Sequence, residues 1–382
     1  MVSSVYIHIP FCEKICHYCD FTKFFYEEKM ADDYLIALEN EIKTNIVSPN
    51  QKMKTIFVGG GGTPPTALNN RQLTKLVKII DYYFDVAGVS EYTFEANPGD
   101  LTKEKIKILR DNGVSRISMG VQVFDDDMLE QLGRLHRIKD VYQNINDLIN
   151  AGITNISIDL MYSLPNQTIA HFEKTLHEAL QFQLPHYSAY SLQIEPKTIF
   201  YQRYKKGTLT KPPEEIEADM YEILRKEMNG KGVFQYEISN FAKPGFESQH
   251  NLTYWNNDYY YGFGAGAHGY LPGERIVNIR PFPAYVEEAN RSGKPILHVE
   301  KIRKKEQVEE EMFLGLRKSE GVSIDDFEAK YQLKLKKLYK EELRNLAQRG
   351  WIEYDQRFVR LTEAGKPFGN EVFQSFLLDH DL

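Results

Sequence analysis

Segments of strand length alternate with segments of helical period along roughly the first 230 residues, and this order restricts the fold more than any other feature of the chain. The strand candidates are SVYIHI, KTIFVG, EYTFEA, RISMGVQ, NISIDLMYSL and HYSAYSLQI; helical periods fall near residues 30–46, 69–83, 102–112, 138–151, 168–181 and 214–228. A parallel strand connection needs a crossover of a dozen or more residues, and a helix supplies it, so the expected class is α/β. Unusual residues gather at the strand ends: three cysteines, the run from Gly59 to Pro64, then Glu95, Gln122, Asp159 and Glu195. Side chains from successive strands meet at one place only if the strands curve around it, so six units predict a partial (β/α)6 barrel with its site at the C-terminal mouth.

The texture changes after residue 230. Residues 231–300 are rich in aromatics and glycine, show no clear alternation, and are expected to cover or complete the barrel of residues 1–230. From residue 301 to 382, three helical periods and the strand signals WIEY and FVRLT predict a mainly helical, winged-helix-like domain. That segment carries 16 basic and 16 acidic residues, so it lacks the basic footprint of a nucleic-acid reader and is expected to dock or support. The net charge of −7 says the same of the whole chain. No apolar run has the length of a membrane span and the start MVSSVYIHIP has no secretion-signal pattern, so a cytoplasmic protein is expected.

The chain has three cysteines, Cys12, Cys16 and Cys19, all within FCEKICHYCDF. An odd number cannot fully pair within the chain, and a reducing compartment disfavours disulfides. Structural zinc takes four ligands, and only His17 or a distant histidine could be the fourth. Buried inert cysteines are a second reading, which the packing of all three into eight residues disfavours. A [4Fe-4S] cubane fits best: three thiolates leave one iron open to substrate or cofactor, with Phe11, Tyr18 and Phe21 available to exclude water.

C-x3-C-x2-C resembles the hallmark of the radical S-adenosylmethionine superfamily, in which the open iron takes the amino and carboxylate groups of S-adenosyl-L-methionine. YIHIPFCEKICHYCDF, VGGGGTPPTAL, SMGVQVF with LGRLH, SIDLMYSLPNQT and YEISNFAKPGFESQHNLTYW resemble, in order, the oxygen-independent coproporphyrinogen III oxidase group across most of the first 270 residues. The resemblance implies that Cys12, Cys16 and Cys19 hold the cluster. It also implies that Tyr6, Gly61, Gly62, Thr63, Glu95, Gln122, Arg134 and Asp159 contact S-adenosyl-L-methionine, Arg134 facing its carboxylate. GAGAHG at Gly264 to Gly269 also satisfies G-x-G-x-x-G, but the YLPGE that follows breaks any helix and removes the dinucleotide reading.

Within this group the decarboxylating oxidases carry a fourth cysteine where this chain has Phe21, and an N-terminal arm where only five residues precede Tyr6. Both differences point to the heme chaperone branch, whose H-N-x-x-Y-W is matched by His250, Asn251, Tyr254 and Trp255. Val123, Ser163 and Gly269 depart from that branch, which usually has serine, glycine and serine there. The resemblance implies a carrier that binds heme, with His250 as candidate ligand, and hands it to a respiratory hemoprotein; the membrane surface as the place of transfer and a homodimer as the working form are further expectations. The alternative is oxidative decarboxylation of coproporphyrinogen III. Radical modification of RNA, a third class, is disfavoured by the charge balance.

Overall fold

The computed structural model describes residues 2–46, 48–60 and 65–380. Six strands run parallel in sequential order: β1 (Ser4–His8), β2 (Thr55–Gly59), β3 (Glu91–Ala96), β4 (Arg116–Gln122), β5 (Asn155–Tyr162) and β6 (His186–Ser191). The helices between them include α1 (Glu28–Asn45), α2 (Asn70–Tyr83), α3 (Lys103–Asp111), α4 (Ile138–Asn150) and α5 (Ile169–Gln181), with α6 (Glu214–Gly230) following β6. Every strand and crossover helix read from the sequence is present, within two residues at nearly every end. The fold is the expected partial (β/α) barrel.

Strand alternation sets the layers. Val5 and Ile7, Ile56 and Val58, Tyr92 and Phe94, Ile117 and Met119, and Ile156 and Ile158 point outward into the main core beneath the helices. The helices meet them with apolar stripes such as Tyr34, Leu35, Leu38 and Ile42 of α1. Capping sharpens the helix starts: the Asn69 side chain accepts from the Gln72 N–H at 3.0 Å while the Gln72 side chain accepts from the Asn69 N–H at 3.3 Å.

Residues 231–300 extend this sheet at both edges. β7 (Phe234–Glu237) and β8 (Asn240–Ala242) add antiparallel strands beside β6. β9 (Tyr260–Phe263) lies parallel to β1 on the other side, making a seventh contiguous parallel strand, and continues into the antiparallel β10 (His268–Leu271), β11 (Glu274–Asn278) and β12 (Ile296–Lys301). GAGAHG makes the turn between β9 and β10. Gly264 has φ +105°, and a Cβ there would lie 2.6 Å from the Tyr34 hydroxyl, so glycine is required on both conformational and steric grounds.

The C-terminal segment has its own core, with Val308, Met312, Val322, Phe327, Leu343, Ile352 and Val359 fully or nearly buried. Helices Lys304–Gly315, Ile324–Tyr331 and Lys340–Gln348 pack with a three-stranded sheet of Val322–Ser323, Phe358–Leu361 and Ile352–Tyr354. It docks on the barrel through the Ser319 N–H to the Tyr236 carbonyl (2.9 Å), Lys330 to the Asn257 carbonyl (2.8 Å) and Arg275 to Glu310 (2.8 Å). Among the described residues no helix is long and apolar enough to cross a membrane.

Glu41 of α1 ties the added strands to the barrel. It is buried and accepts from the Gly264 N–H (2.9 Å), Asn278 (2.6 Å) and the Tyr285 hydroxyl (2.6 Å). Burial pushes its carboxyl from 4.5 up to about 7, against the pull of those donors. The folded chain therefore holds this proton more tightly than the unfolded one. The group's stabilising contribution is full below pH 4.5 and is lost as pH rises through about 7. Glu41→Gln should flatten this part of the stability profile, read as a smaller difference between urea midpoints at pH 5 and pH 8 than in the wild type.

Candidate functional site

The alternation that sends apolar residues outward sends polar ones into the barrel. Ser4, Tyr6 and His8 share one face of β1; Thr55 and Phe57 share that of β2, Glu91, Thr93 and Glu95 that of β3, and Ser157 and Asp159 that of β5. A polar concave face must find partners for every group it buries, and it does so differently at its two ends.

At the end where the strands begin, protein fills the opening. The short helix Gln249–Trp255 crosses the starts of β1, β2 and β3. Glu91 accepts from the Ser248 hydroxyl (3.1 Å) and from the N–H groups of Gln249 (2.9 Å) and His250 (3.1 Å), and Thr253 bonds Ser4 at 3.1 Å. His250 is 1% exposed, stacks on Phe57, and has Nδ1 on the Thr55 hydroxyl and Nε2 on the Tyr254 hydroxyl, both at 2.8 Å. Burial, with Arg116 adding repulsion, pushes its imidazole down to about 3, so it is neutral. The histidine named as candidate heme ligand thus sits in the barrel floor. To ligate iron it must first give up Thr55 or Tyr254. Beside it, His186 bonds Ser157 (2.7 Å) and Tyr236 (2.9 Å), extending the same plug.

The cysteines lie at the opposite end, after β1. Short strands Phe11–Cys12 and Phe24–Phe25 pair in parallel and close the loop at its base, with the Tyr26 N–H on the Cys12 carbonyl at 2.8 Å. Cys12 is buried; Cys16 and Cys19 are partly open. Burial, reinforced by Cys16 and Cys19, pushes the Cys12 thiol up to about 12, and burial raises Cys19 as well. Three thiolates in this setting call for a cationic centre among them. Among the described residues no three His, Cys, Asp or Glu side chains form a group able to hold a single metal ion. Three cysteines can each ligate one iron of a cubane and leave the fourth iron open, whereas structural zinc needs a fourth protein ligand, so the donor set fits a cluster. His17, considered as a fourth zinc ligand, has Nδ1 on the Gln131 carbonyl at 2.8 Å.

Of the residues named from the sequence, Arg134 stands beside this loop, Gln122 meets Arg134 across Gly120, and Glu95 and Asp159 lie on the inward faces of their strands. Arg134 is buried, donates to Asn97 at 2.7 Å and to the Gly120 carbonyl, and stands 3.5 Å from Cys16 Sγ. Its positive charge lies beside the cysteine loop itself. Gln122 has φ +71°, a conformation that side chains rarely take, at an irregularity in the β4–β5 register. A Cβ on Gly120 would fall 2.9 Å from both Gln122 Nε2 and Arg134 Nη2, so glycine gives the two side-chain ends room to converge there. Glu95 accepts from the Gly60 N–H at 2.9 Å, and a Cβ on Gly59 would strike its carboxyl at 2.6 Å. Asp159 accepts from Ser118 at 3.3 Å, and burial raises its carboxyl while Arg116 and Arg134 oppose the rise. Gly61, Gly62 and Thr63 lie outside the described residues.

Sequence reasoning missed His8 and Asn97. The Tyr6 hydroxyl donates to His8 Nδ1 at 2.8 Å, and His8 Nε2–H donates to the Thr22 carbonyl at 3.0 Å, a chain running from the barrel interior to the cysteine loop. Burial pushes His8 down to about 4, keeping it neutral as this chain requires. Period two on β1 could have found it, since His8 shares the Tyr6 face. Asn97 holds Arg134 from the loop after β3, a pairing that only the fold reveals. Tyr6→Phe leaves a buried His8 nitrogen without its donor and should lower stability by about 1–3 kcal/mol, measured by urea unfolding.

A partial (β/α) barrel with a C-x3-C-x2-C loop at the mouth and polar side chains converging beside it defines a radical S-adenosylmethionine type of protein. Residues 6–179 match the Radical SAM superfamily, and residues 302–368 match the HemN C-terminal domain. The chain is 50% identical to the heme chaperone HemW of Bacillus subtilis (strain 168), covering 98% of this chain and 99% of the relative. It is 42% identical to that of Lactococcus lactis subsp. lactis, covering 99% and 98%. The solved coproporphyrinogen III oxidase HemN from Escherichia coli shares the fold at TM-score 0.84 and 22% identity, over 98% of this chain and 90% of that one. The chain therefore belongs to the heme chaperone HemW family.

Proposed function

We propose that the protein is a heme chaperone: it binds heme and passes it to a hemoprotein, and it carries a [4Fe-4S] cluster with S-adenosyl-L-methionine at the open iron. The observation that carries this reading is half identity, over nearly the full length of both chains, to a relative named as a heme chaperone. Phe21, standing where the oxidases have a fourth cysteine, agrees with it.

When bound, the cluster offers one iron that S-adenosyl-L-methionine can chelate. In this reading the chain's own residues hold and orient. Cys12, Cys16 and Cys19 would supply the thiolates, and Arg134, whose positive charge stands beside Cys16, would face the cofactor carboxylate. Glu95, Asp159 and Gln122 are pre-positioned acceptors and donors along the mouth, and the glycines at 61 and 62 with Thr63 let backbone approach the methionine end. Tyr6, oriented by His8, closes the inner side. The same reading has the chaperone working in the cytoplasm and releasing heme to a respiratory hemoprotein at the membrane surface, as a homodimer.

Two measurements test it. Anaerobically reconstituted protein should take up iron and sulfide, and Cys12→Ala, Cys16→Ala or Cys19→Ala should each lose that uptake. Hemin titration of the reconstituted protein should saturate, while incubation with coproporphyrinogen III, S-adenosyl-L-methionine and reductant should yield no protoporphyrinogen. Failure to bind heme, or formation of protoporphyrinogen, overturns the reading.

A further inference from the structure

The LGRLH run that supplies Arg134 also buries His136 against the end of β4. After the short helix Asp126–Gln131, Gly133 takes φ +78°, and the N–H groups of Gly133 and Arg134 return to the Glu130 and Leu129 carbonyls, both at 2.9 Å, which ends the helix. Beyond it burial alternates: Arg134 and His136 are each 4% exposed, and Leu135 between them is 56% exposed. The two buried side chains reach successive carbonyls of β4. Arg134 donates to that of Gly120, and His136 Nε2–H donates to that of Val121 at 3.1 Å. A carbonyl can only accept, so this bond fixes the imidazole proton on Nε2. Burial, with the charge of Arg134, pushes the imidazole down to about 3, so the ring is neutral.

Val121 is where β4 breaks off. Its carbonyl also accepts the Val123 N–H at 2.9 Å, closing a three-residue turn around Gln122, whose φ is +71°. A turn of this kind with a positive central φ is rare and strained for a residue with a side chain, and it persists only where its surroundings hold it. Two contacts do so here. Val123 is fully buried with Leu129, Leu132 and Leu164 in a small apolar core, and His136 gives the Val121 carbonyl its second hydrogen bond. The turn sets where the Gln122 amide goes: its Nε2 and Arg134 Nη2 both lie 2.9 Å from the place that a Gly120 Cβ would take. Arg134 in turn stands 3.5 Å from Cys16 Sγ. Through one carbonyl, then, the imidazole controls a side chain that meets the guanidinium beside the cysteine loop.

We propose that His136 is a positioning residue for S-adenosyl-L-methionine, acting not by contact but by pinning the turn that aims the Gln122 amide. This rests on the proposed function, in which Gln122 meets the cofactor at the mouth.

The test is titration of anaerobically reconstituted full-length protein with S-adenosyl-L-methionine. It is read as a dissociation constant and as the change produced in the electron paramagnetic resonance spectrum of the reduced cluster, with iron and sulfide assayed in every variant. His136→Leu should keep wild-type iron and sulfide and weaken binding by at least about tenfold. His136→Gln, whose amide can still donate to the Val121 carbonyl, should return affinity to within about threefold of wild type, which a role in ring packing alone would not allow. Gln122→Gly takes φ +71° freely and has no amide to aim, so in that background His136→Leu should cost no further affinity. Should His136→Leu lose its cluster, His136→Asn, polar but too short to reach the carbonyl, replaces it in each comparison; cluster loss in both overturns the proposal by showing that His136 supports the loop itself. Wild-type affinity in His136→Leu overturns it as well, as does a loss that His136→Gln does not restore or that persists undiminished in Gln122→Gly. Each of these leaves the proposed function standing. A wild-type protein that loads its cluster and does not bind S-adenosyl-L-methionine removes the cofactor from that function, and this positioning role with it.

Discussion

A curved parallel sheet with a polar inner face has to satisfy every donor and acceptor it encloses, and this requirement organises the whole molecule. Outside, the strands bury Val5, Ile7, Ile56, Val58, Ile117 and Ile158 under helices, which supplies the apolar burial that stabilises the domain. Inside, the same strands present Ser4, Thr55, Glu91, Ser157 and His186 where water is largely absent. At the floor the partners are internal, and Glu91 alone accepts three hydrogen bonds from the Ser248–His250 turn. Toward the strand ends Glu95 is held by the Gly60 N–H, Asp159 by Ser118, and Arg134 by Asn97 and the Gly120 carbonyl. The two ends of one polar face are thus satisfied by different means, the floor by a crossing helix and the other end by local contacts.

Much of this was legible beforehand because it rests on local signals. Apolar and β-branched runs of strand length marked all six strands, helical period marked the crossover helices, and three cysteines within eight residues marked the mouth. The less legible part depends on contacts far apart in sequence. β9 lies in an aromatic run, YYGF, with no alternation to betray it; its pairing to β1 joins residues more than 250 apart. Gln122 reads as an ordinary strand residue, and its left-handed backbone follows from the register irregularity against β5. Ser163, noted as a departure from glycine, likewise takes φ +58°, so the position demands glycine-like backbone whether or not glycine is there.

His250, the candidate heme ligand, also has a structural role that its chemistry alone does not reveal. Imidazole beside tyrosine and tryptophan is a set that heme pockets use, but it is equally what a polar plug between two domains needs. Here His250 satisfies Thr55 on the barrel side, Tyr254 meets the ring of Tyr260 edge-on, and Trp255 lies under Arg317 of the C-terminal domain. Residues around this segment carry the docking: Lys330 reaches the Asn257 carbonyl, and Asn257 reaches the Gln307 carbonyl. The segment therefore joins floor and C-terminal domain, which gives it a structural reason to keep its aromatic and hydrogen-bonding character.

The contrast between the two histidines follows from where each lies on the barrel. A ring in the floor is surrounded on all sides, and burial drives it to a neutral form with both nitrogens committed, as with His250 and His186. His17, on the cysteine loop, is instead held through Nδ1 by the Gln131 carbonyl, with its Nε2 edge beside Gly133. The floor thus settles its polar groups among distant segments of the chain, whereas the loop holding Cys12, Cys16 and Cys19 is held by its near neighbours at the opposite end of the barrel, with Cys16 and Cys19 left partly open.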